Sequence, residues 1–353
     1  MRRGPFVAAL VAALAATATA ACGDSSGGDG DTANGAPIAG AHDCVPPGEA
    51  GDVTIAWDQL ANPVVDLDHM TKDETVRFVD GQWHMYFSER FESGGDPATR
   101  TGHWVSDDLS EWSPAPAVPE WGSPDITSAE DGTLVITAQV RDPDDPEVSR
   151  IEVSTSDDPD GPWSEPRELL PDELPGERTI DAALAHTDLG LFLLFKRGLH
   201  TSADQHVELA WSESGALDGP WEVLGEPDLP LSENFEFLPI DGTWHVLATS
   251  IPVHEPVLYE LGGDPGDERS WLHWEKVRAF DVPEESWNTG PGLAGVDHET
   301  ANSAYLCDAR GVDGSWYLFY AGSTELTTFE GRGHAKIGLA RSKDLEHWDV
   351  PPG

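Results

Sequence analysis

The sequence predicts an all-β fold, a five-bladed β-propeller of four-stranded blades, and three observations predict it. An alternating apolar run with a tight glycine turn recurs five times. A strand, a Ser/Asp-type turn and a Trp follow each copy. The two markers keep step along the chain, as a structural repeat requires. The turn glycines are Gly81, Gly132, Gly190, Gly242 and Gly314, separated by 51, 58, 52 and 72 residues. The tryptophans are Trp112, Trp163, Trp221, Trp274 and Trp348, separated by 51, 58, 53 and 74. Each unit holds about four short strands, one propeller blade, and no blade buries both faces alone.

The units are taken in order. Val76–Val79 and Gln82–Phe87 flank Asp80-Gly81; Asp131-Gly132, Asp241-Gly242 and Asp313-Gly314 repeat the turn, and Asp188-Leu189-Gly190 varies it. Asp-Gly between alternating runs is a hairpin signal, because both turn positions want positive φ. Blades are expected over roughly 73–115, 123–170, 180–225, 233–278 and 300–350, with an inserted loop near 281–300. The Trp of each unit is expected between blades. Val53–Trp57 is expected to add a strand or cover the ring seam.

The chain has 353 residues, with 14 Trp, 36 Gly and 28 Pro, a composition that breaks long helices. Its 65 acidic and 20 basic residues give a formal net charge of −45, which opposes nucleic-acid binding. Arg2 and Arg3 precede a short apolar run, Phe6–Ala18, an export signal too short to span a bilayer. Thr19-Ala20-Ala21-Cys22 resembles the bacterial lipoprotein signal, which implies lipidation of Cys22 after cleavage. Ordinary secretion is the alternative. The expected organisation is a signal peptide over 1–21, a Gly/Asp-rich tether over 22–52 and the propeller over 53–353. Cys44 and Cys307 are expected to pair in an oxidising compartment, or to be two buried thiols. No Cys/His spacing indicates zinc, and no metal site is expected from motifs.

In a propeller the innermost strands line the axis, so equivalent positions share one cavity. Eight or nine residues before the turn glycines stand Asp73, Asp181 and Glu233, with Pro124 and Asp125 in blade 2 and Asn302 and Ser303 in blade 5. Three carboxylates at one mouth repel, so at least one pKa should rise. Glycoside hydrolysis requires such a division, one protonated acid and one ionised carboxylate. The competing reading is ordinary turn acids in an acidic sequence.

The blade pattern resembles glycoside hydrolase family 43 and its relative family 62. Lys72-Asp73-Glu74-Thr75-Val76 with Asp80-Gly81-Gln82-Trp83-His84 is similar to their first-blade motif. Ile180-Asp181-Ala182 with Leu193–Lys196, and Glu233 with Asp241-Gly242-Thr243-Trp244-His245, are similar to the third- and fourth-blade motifs. The resemblance implies inverting hydrolysis of an arabinofuranoside- or xyloside-like glycan. Asp73 would be the general base, Asp181 the residue that orients and tunes the acid, and Glu233 the general acid. Asp66 and Asp68 rival Asp73, and Glu236 rivals Glu233. Asp125, His298 and Asn302 are expected to contact sugar; by resemblance His298 lies near a central calcium or water cluster, and a loop histidine at the rim is the alternative. No cofactor is required, though a structural calcium is compatible with the family. Arg141-Asp142-Pro143 matches a triplet of fructan-cleaving propellers but lies out of phase, and is read as coincidence. A monomer exported to the outer face of the membrane or secreted is expected. A non-catalytic glycan-binding lipoprotein is the alternative function.

Overall fold

The computed structural model describes residues 33–353 apart from 94–95, 117, 120, 143, 146–147, 171–173, 175–177, 199–203, 291–299 and 325–335. Five antiparallel sheets follow one another in the chain. Blade 1 is Met70–Val79 (β1), Gln82–Ser93 (β2), Asp96–Ser106 (β3) and Ser113–Pro114 (β4). Blade 2 is Gly122–Ser128 (β5), Leu134–Arg141 (β6), Ser149–Ser156 (β7) and Arg167–Glu168 (β8). Blade 3 is Thr179–Thr187 (β9), Gly190–Arg197 (β10), His206–Ser212 (β11) and Glu222–Gly225 (β12). Blade 4 is Ser232–Ile240 (β13), Thr243–Ser250 (β14), Glu255–Leu261 (β15) and Trp274–Ala279 (β16). Blade 5 is Asn302–Ala309 (β17), Ser315–Gly322 (β18) and Lys336–Ser342 (β19). Isolated bridges from Val65 to Ile337 and from Asp349 to Arg341 cover the outer edge of β19, where a fourth strand would pair. The expected blade limits hold to within a few residues.

The tryptophans pack between blades, as their spacing required. Trp112 lies in a cluster shared by blades 5 and 1, and Trp163 packs against one shared by blades 1 and 2. Trp221, Trp274 and Trp348 occupy the three remaining blade junctions. The turns differ more than the repeat suggested. Asp80-Gly81 and Asp241-Gly242 have positive φ at both positions, as a two-residue hairpin turn demands. Gly314 instead caps a four-residue helical turn, Arg310–Asp313. Trp57 starts a 3-10 turn, Trp57–Gln59, and not a strand; it is buried at the junction of blades 1 and 5, so the segment covers the seam.

The expected tether extends less far than 52. Its described part runs beneath the ring as a belt that touches every blade. Trp244 Nε1 donates to Gly35 O, Pro37 bridges Thr187, Ser128 N donates to Ala41 O, and Phe78 N donates to Cys44 O. A disulfide joins Cys44 to Cys307 on blade 5. Arg77 donates to the carbonyls of Gly40 and Ala41, which tie the belt to the foot of blade 1.

Candidate active site

Each innermost strand carries a bulge at the same place. Two residues oppose one on the next strand between Lys72 and Thr75, Gly122 and Asp125, Ile180 and Ala183, Glu233 and Glu236, and Asn302 and Tyr305. The first bulge residue is left-handed in all five blades: Asp73 (φ 59), Ser123 (46), Asp181 (55), Asn234 (53) and Ser303 (51). Non-glycine residues rarely hold this conformation, and such strain gathers at functional sites. The bulge turns these five side chains into one mouth, at the strand end opposite the belt.

The bulge also corrects the phase. The counterpart of Asp73 and Asp181 in blade 4 is Asn234; Glu233 stands one position earlier, opposite Lys72 in the repeat. Asp125 stands two positions later than Ser123 and matches Glu236 and Tyr305. Sequence counting could not separate these positions, because the distance from bulge to turn glycine varies from blade to blade.

Two lysines join the three expected carboxylates. Lys72 Nζ lies 3.2 Å from Asp73 Oδ1 and 3.9 Å from Glu233 Oε1. Lys196 Nζ lies 3.2 Å from Asp181 Oδ2 and 2.5 Å from Glu233 Oε2. The two Lys72 distances, laid end to end, cap the Asp73 Oδ1 to Glu233 Oε1 separation at 7.1 Å. Asn234 Nδ2 donates to Asp73 Oδ1 at 2.6 Å, and the hydroxyls of Ser303 and Ser123 lie 3.0 and 3.2 Å from its two oxygens. Asp73 is thus held from blades 1, 2, 4 and 5. Neither lysine nor Asn234 was singled out from the sequence as a site residue. Buried lysines beside carboxylates leave no spacing motif.

The side chains of Asp73 and Asp181 are 2% and 6% exposed, that of Glu233 19%, so Glu233 is the carboxylate an incoming solute meets first. Burial pushes the Glu233 pKa up, but Lys196 and Lys72 together outweigh it and hold it at about 2. Burial raises Asp181 above the usual range against the pull of Lys196. Burial lowers Lys72 and Lys196, yet the surrounding carboxylates more than offset this and both stay charged.

Deeper in the channel sit Glu74, Asp125 and Glu236. Asp125 Oδ2 accepts from Leu184 N at 3.0 Å and Glu236 Oε2 from Leu306 N at 2.8 Å, so each matched carboxyl fastens its blade to the inner strand of the next. Burial raises Asp125 to about 7 and Glu74 and Glu236 well above their usual range. For a raised carboxyl the folded state keeps its proton while the unfolded state loses it, so stability falls as pH rises from about 4 to about 7. Asp125→Asn keeps an acceptor for Leu184 without the charge. It is expected to stabilise the protein by about 2–3 kcal/mol more at pH 8 than at pH 5, as read from denaturant unfolding at the two pH values.

The rivals lie elsewhere. Asp66 is paired with Lys336 at the surface and Asp68 is fully exposed beside His69, so neither joins the mouth. Glu236 is in the channel, fastened to blade 5. Asn302 is buried, with Oδ1 2.6 Å from Ser303 Oγ. His298 and Cys22 lie outside the described residues, as does Pro143 of the fructan-type triplet. For calcium the donor chemistry is right, since both oxygens of Glu74 lack a hydrogen-bond partner. The geometry is not: the channel carboxyls do not bring three ligand atoms within 4.8 Å, which among the described residues only His84, His103 and Asp160 do. Among the described residues the channel carboxylates thus do not by themselves gather as a cluster of ligands, and His298 lies outside those residues.

No family model matches the sequence. A stretch of 116 residues is 31% identical to an uncharacterized protein of Ruminiclostridium cellulolyticum, covering 28% of this chain and 31% of that protein. Solved structures match over far more of the chain. A family-43 β-xylosidase/α-arabinofuranosidase from a compost microbial metagenome, in complex with xylotriose, is 16% identical with a TM-score of 0.53, over 82% of this chain and 96% of that one. A family-117 glycoside hydrolase of the marine bacterium Zobellia galactanivorans is 13% identical with a TM-score of 0.53, over 83% and 89%. A member of family 130, which contains mannoside phosphorylases and glycoside hydrolases that target β-1,2 mannosidic linkages in Candida mannan, is 15% identical with a TM-score of 0.52, over 82% and 89%. The chain thus shares the five-bladed propeller fold of solved glycoside hydrolases from families 43, 117 and 130.

Proposed function

We propose that this chain hydrolyses glycosidic bonds of an oligo- or polysaccharide outside the cell. One observation carries the reading: Asp73, Asp181 and Glu233, from blades 1, 3 and 4, meet through two lysines in a mouth built by five strained bulges. Asp73, held by three neutral donors and Lys72, is placed to take a proton from water as it attacks the anomeric carbon. Glu233, the most exposed of the three, protonates the leaving oxygen. Asp181 shares Lys196 with Glu233 and so governs how firmly that lysine holds the acid. The cap of 7.1 Å admits the short end of the range of about 6.5–9.5 Å that inverting enzymes use. No cofactor enters this reaction. An arabinofuranoside or xyloside is the substrate proposed, and a lipid anchor at Cys22 the proposed attachment.

Glu233 must gain a proton before it acts, and in the free site Lys196 and Lys72 keep it ionised. A sugar that excludes water and draws Lys196 onto its hydroxyls lifts the acid toward the working range. Lys196→Gln removes the nearer ammonium, so the protonated fraction of Glu233 persists to higher pH. The alkaline limb of kcat/KM, which reports the acid of the free enzyme, is expected to move up by about one pH unit or more. Asn234→Gly retains the left-handed backbone and removes the donor to Asp73. Losing a hydrogen bond to a charged group is worth about 1.5–3 kcal/mol, so turnover is expected to fall about 10- to 100-fold in steady-state kinetics.

Chromogenic arabinofuranosides, xylosides, galactosides and fructans test the proposal directly. Release of chromophore by the wild type supports it. The same ionised Glu233 favours one second reading, a propeller that binds glycan without cleaving it. Calorimetric binding of a glycan that is never turned over at any pH from 4 to 8 would establish that reading instead.

A further inference from the structure

On the flank between blades 1 and 2, away from the mouth, two histidines meet one carboxylate. His84 on β2 and His103 on β3 are diagonal neighbours on one sheet face, since His84 pairs with Val105 and Tyr86 with His103. Both are buried, and His84 Nδ1 lies 3.0 Å from His103 Nε2. Asp160, exposed in the turn between β7 and β8, brings a carboxylate oxygen so that all three ligand atoms fall within 4.8 Å of one another. Tyr86 stacks on His103 at 4.4 Å, and its hydroxyl donates to Pro159 O at 3.1 Å, which fixes that turn over the imidazoles.

The facing nitrogens of this pair point to one place. His103 Nδ1 lies 2.9 Å from Pro116 O, and a carbonyl only accepts, so the proton of neutral His103 sits on Nδ1. His103 Nε2 is then a lone pair turned toward His84 Nδ1, 3.0 Å away. Without an ion, His84 Nδ1–H donates to that lone pair; with the proton on the other ring nitrogen of His84, both facing nitrogens offer lone pairs to one ion and the bond from His103 to Pro116 is undisturbed. Ligating histidines characteristically donate their other N–H to a backbone carbonyl or a carboxylate.

We infer that His84, His103 and Asp160 form a site for a divalent transition metal of the zinc class that fastens blade 1 to blade 2. Tetrahedral zinc with bonds of about 2.0–2.1 Å holds its nitrogens about 3.3 Å apart, so the imidazoles need open only slightly. Asp160, on the exposed side, closes onto the ion by a side-chain rotation, and water takes the fourth position. The site is separate from the carboxylate mouth and does not depend on the proposed hydrolysis. It lies outside every Cys/His motif because its ligands come from three different hairpin positions.

The test is metal binding by the full folded chain after chelator treatment, with zinc and cobalt(II) as probes. One equivalent of zinc is expected to survive dialysis and to raise the thermal midpoint by at least about 2 °C. Cobalt(II) should show the strong visible bands of a low-coordinate N/O site. His103→Gln and Asp160→Asn are each expected to weaken zinc at least about 10-fold, while His206→Gln, a surface histidine elsewhere, leaves it unchanged. Asp160 is exposed, so its variant stays informative should His103→Gln fail to fold. Zinc affinity in the wild type equal to that of Asp160→Asn, or a cobalt spectrum of the hydrated octahedral ion, overturns the inference.

Discussion

Glu233→Gln is expected to lower kcat by about 10³-fold and to leave sugar affinity within a few-fold of the wild type. General acid catalysis contributes about 10²–10⁴ in rate. Glutamine keeps the shape and an acceptor for Lys196, so the cluster stays assembled. It removes one negative charge from a group of three carboxylates and two lysines, which leaves the remaining charges balanced. Initial rates against calorimetric affinity separate the two effects. Turnover at the wild-type rate would mean that Glu233 is not the acid. Glu236 is then poorly placed to replace it, since its carboxyl is tied to Leu306 N inside the channel.

Replacing both Cys44 and Cys307 by Ser should cost about 3–5 kcal/mol and lower the thermal midpoint by roughly 10 °C. The cystine spans 263 residues of sequence, so its loss frees a large loop in the unfolded chain. In the folded chain it detaches the belt from blade 5 and weakens the junction where the first and last blades meet. Thermal unfolding with and without reductant checks this. The wild type under reductant should approach the variant, and the variant should ignore reductant. Activity at 25 °C should persist, because no ligand of Asp73 or Glu233 depends on the cystine.

The ring was legible because its markers are chemical necessities repeated five times. Trp163 and Trp221 sit where large aromatics must fill a wedge between blades, and such residues are rare enough to count. The triad was legible only in part. Asp73 and Asp181 fall on the bulge and were found by phase. Glu233 does not; the blade-4 counterpart of Asp73 and Asp181 is Asn234, which no sequence signal marks. A bulge has no residue signature when Asp, Ser and Asn all serve it, so the register one residue either side is invisible in sequence. Lys72 and Lys196 carry no mark in the sequence, since a cation that balances buried acids is defined by distance and not by spacing. The belt was hidden by composition: Gly35–Cys44 reads as a tether until its polar backbone is given five blades to bond to.

That belt also gives the ring two unlike faces. Residues 35–44 are fastened where the inner strands end, on the side of Phe78, Ser128, Thr187 and Trp244, while the bulges open on the other side. From Asp73 to Phe78 an extended strand advances about 17 Å, enough to set the two faces apart. Belt and mouth therefore occupy opposite ends of the inner strands, so a substitution within residues 35–44 can loosen the ring without touching Asp73, Asp181 or Glu233. A solute that enters from the bulge side meets Glu233 before either of the other two acids.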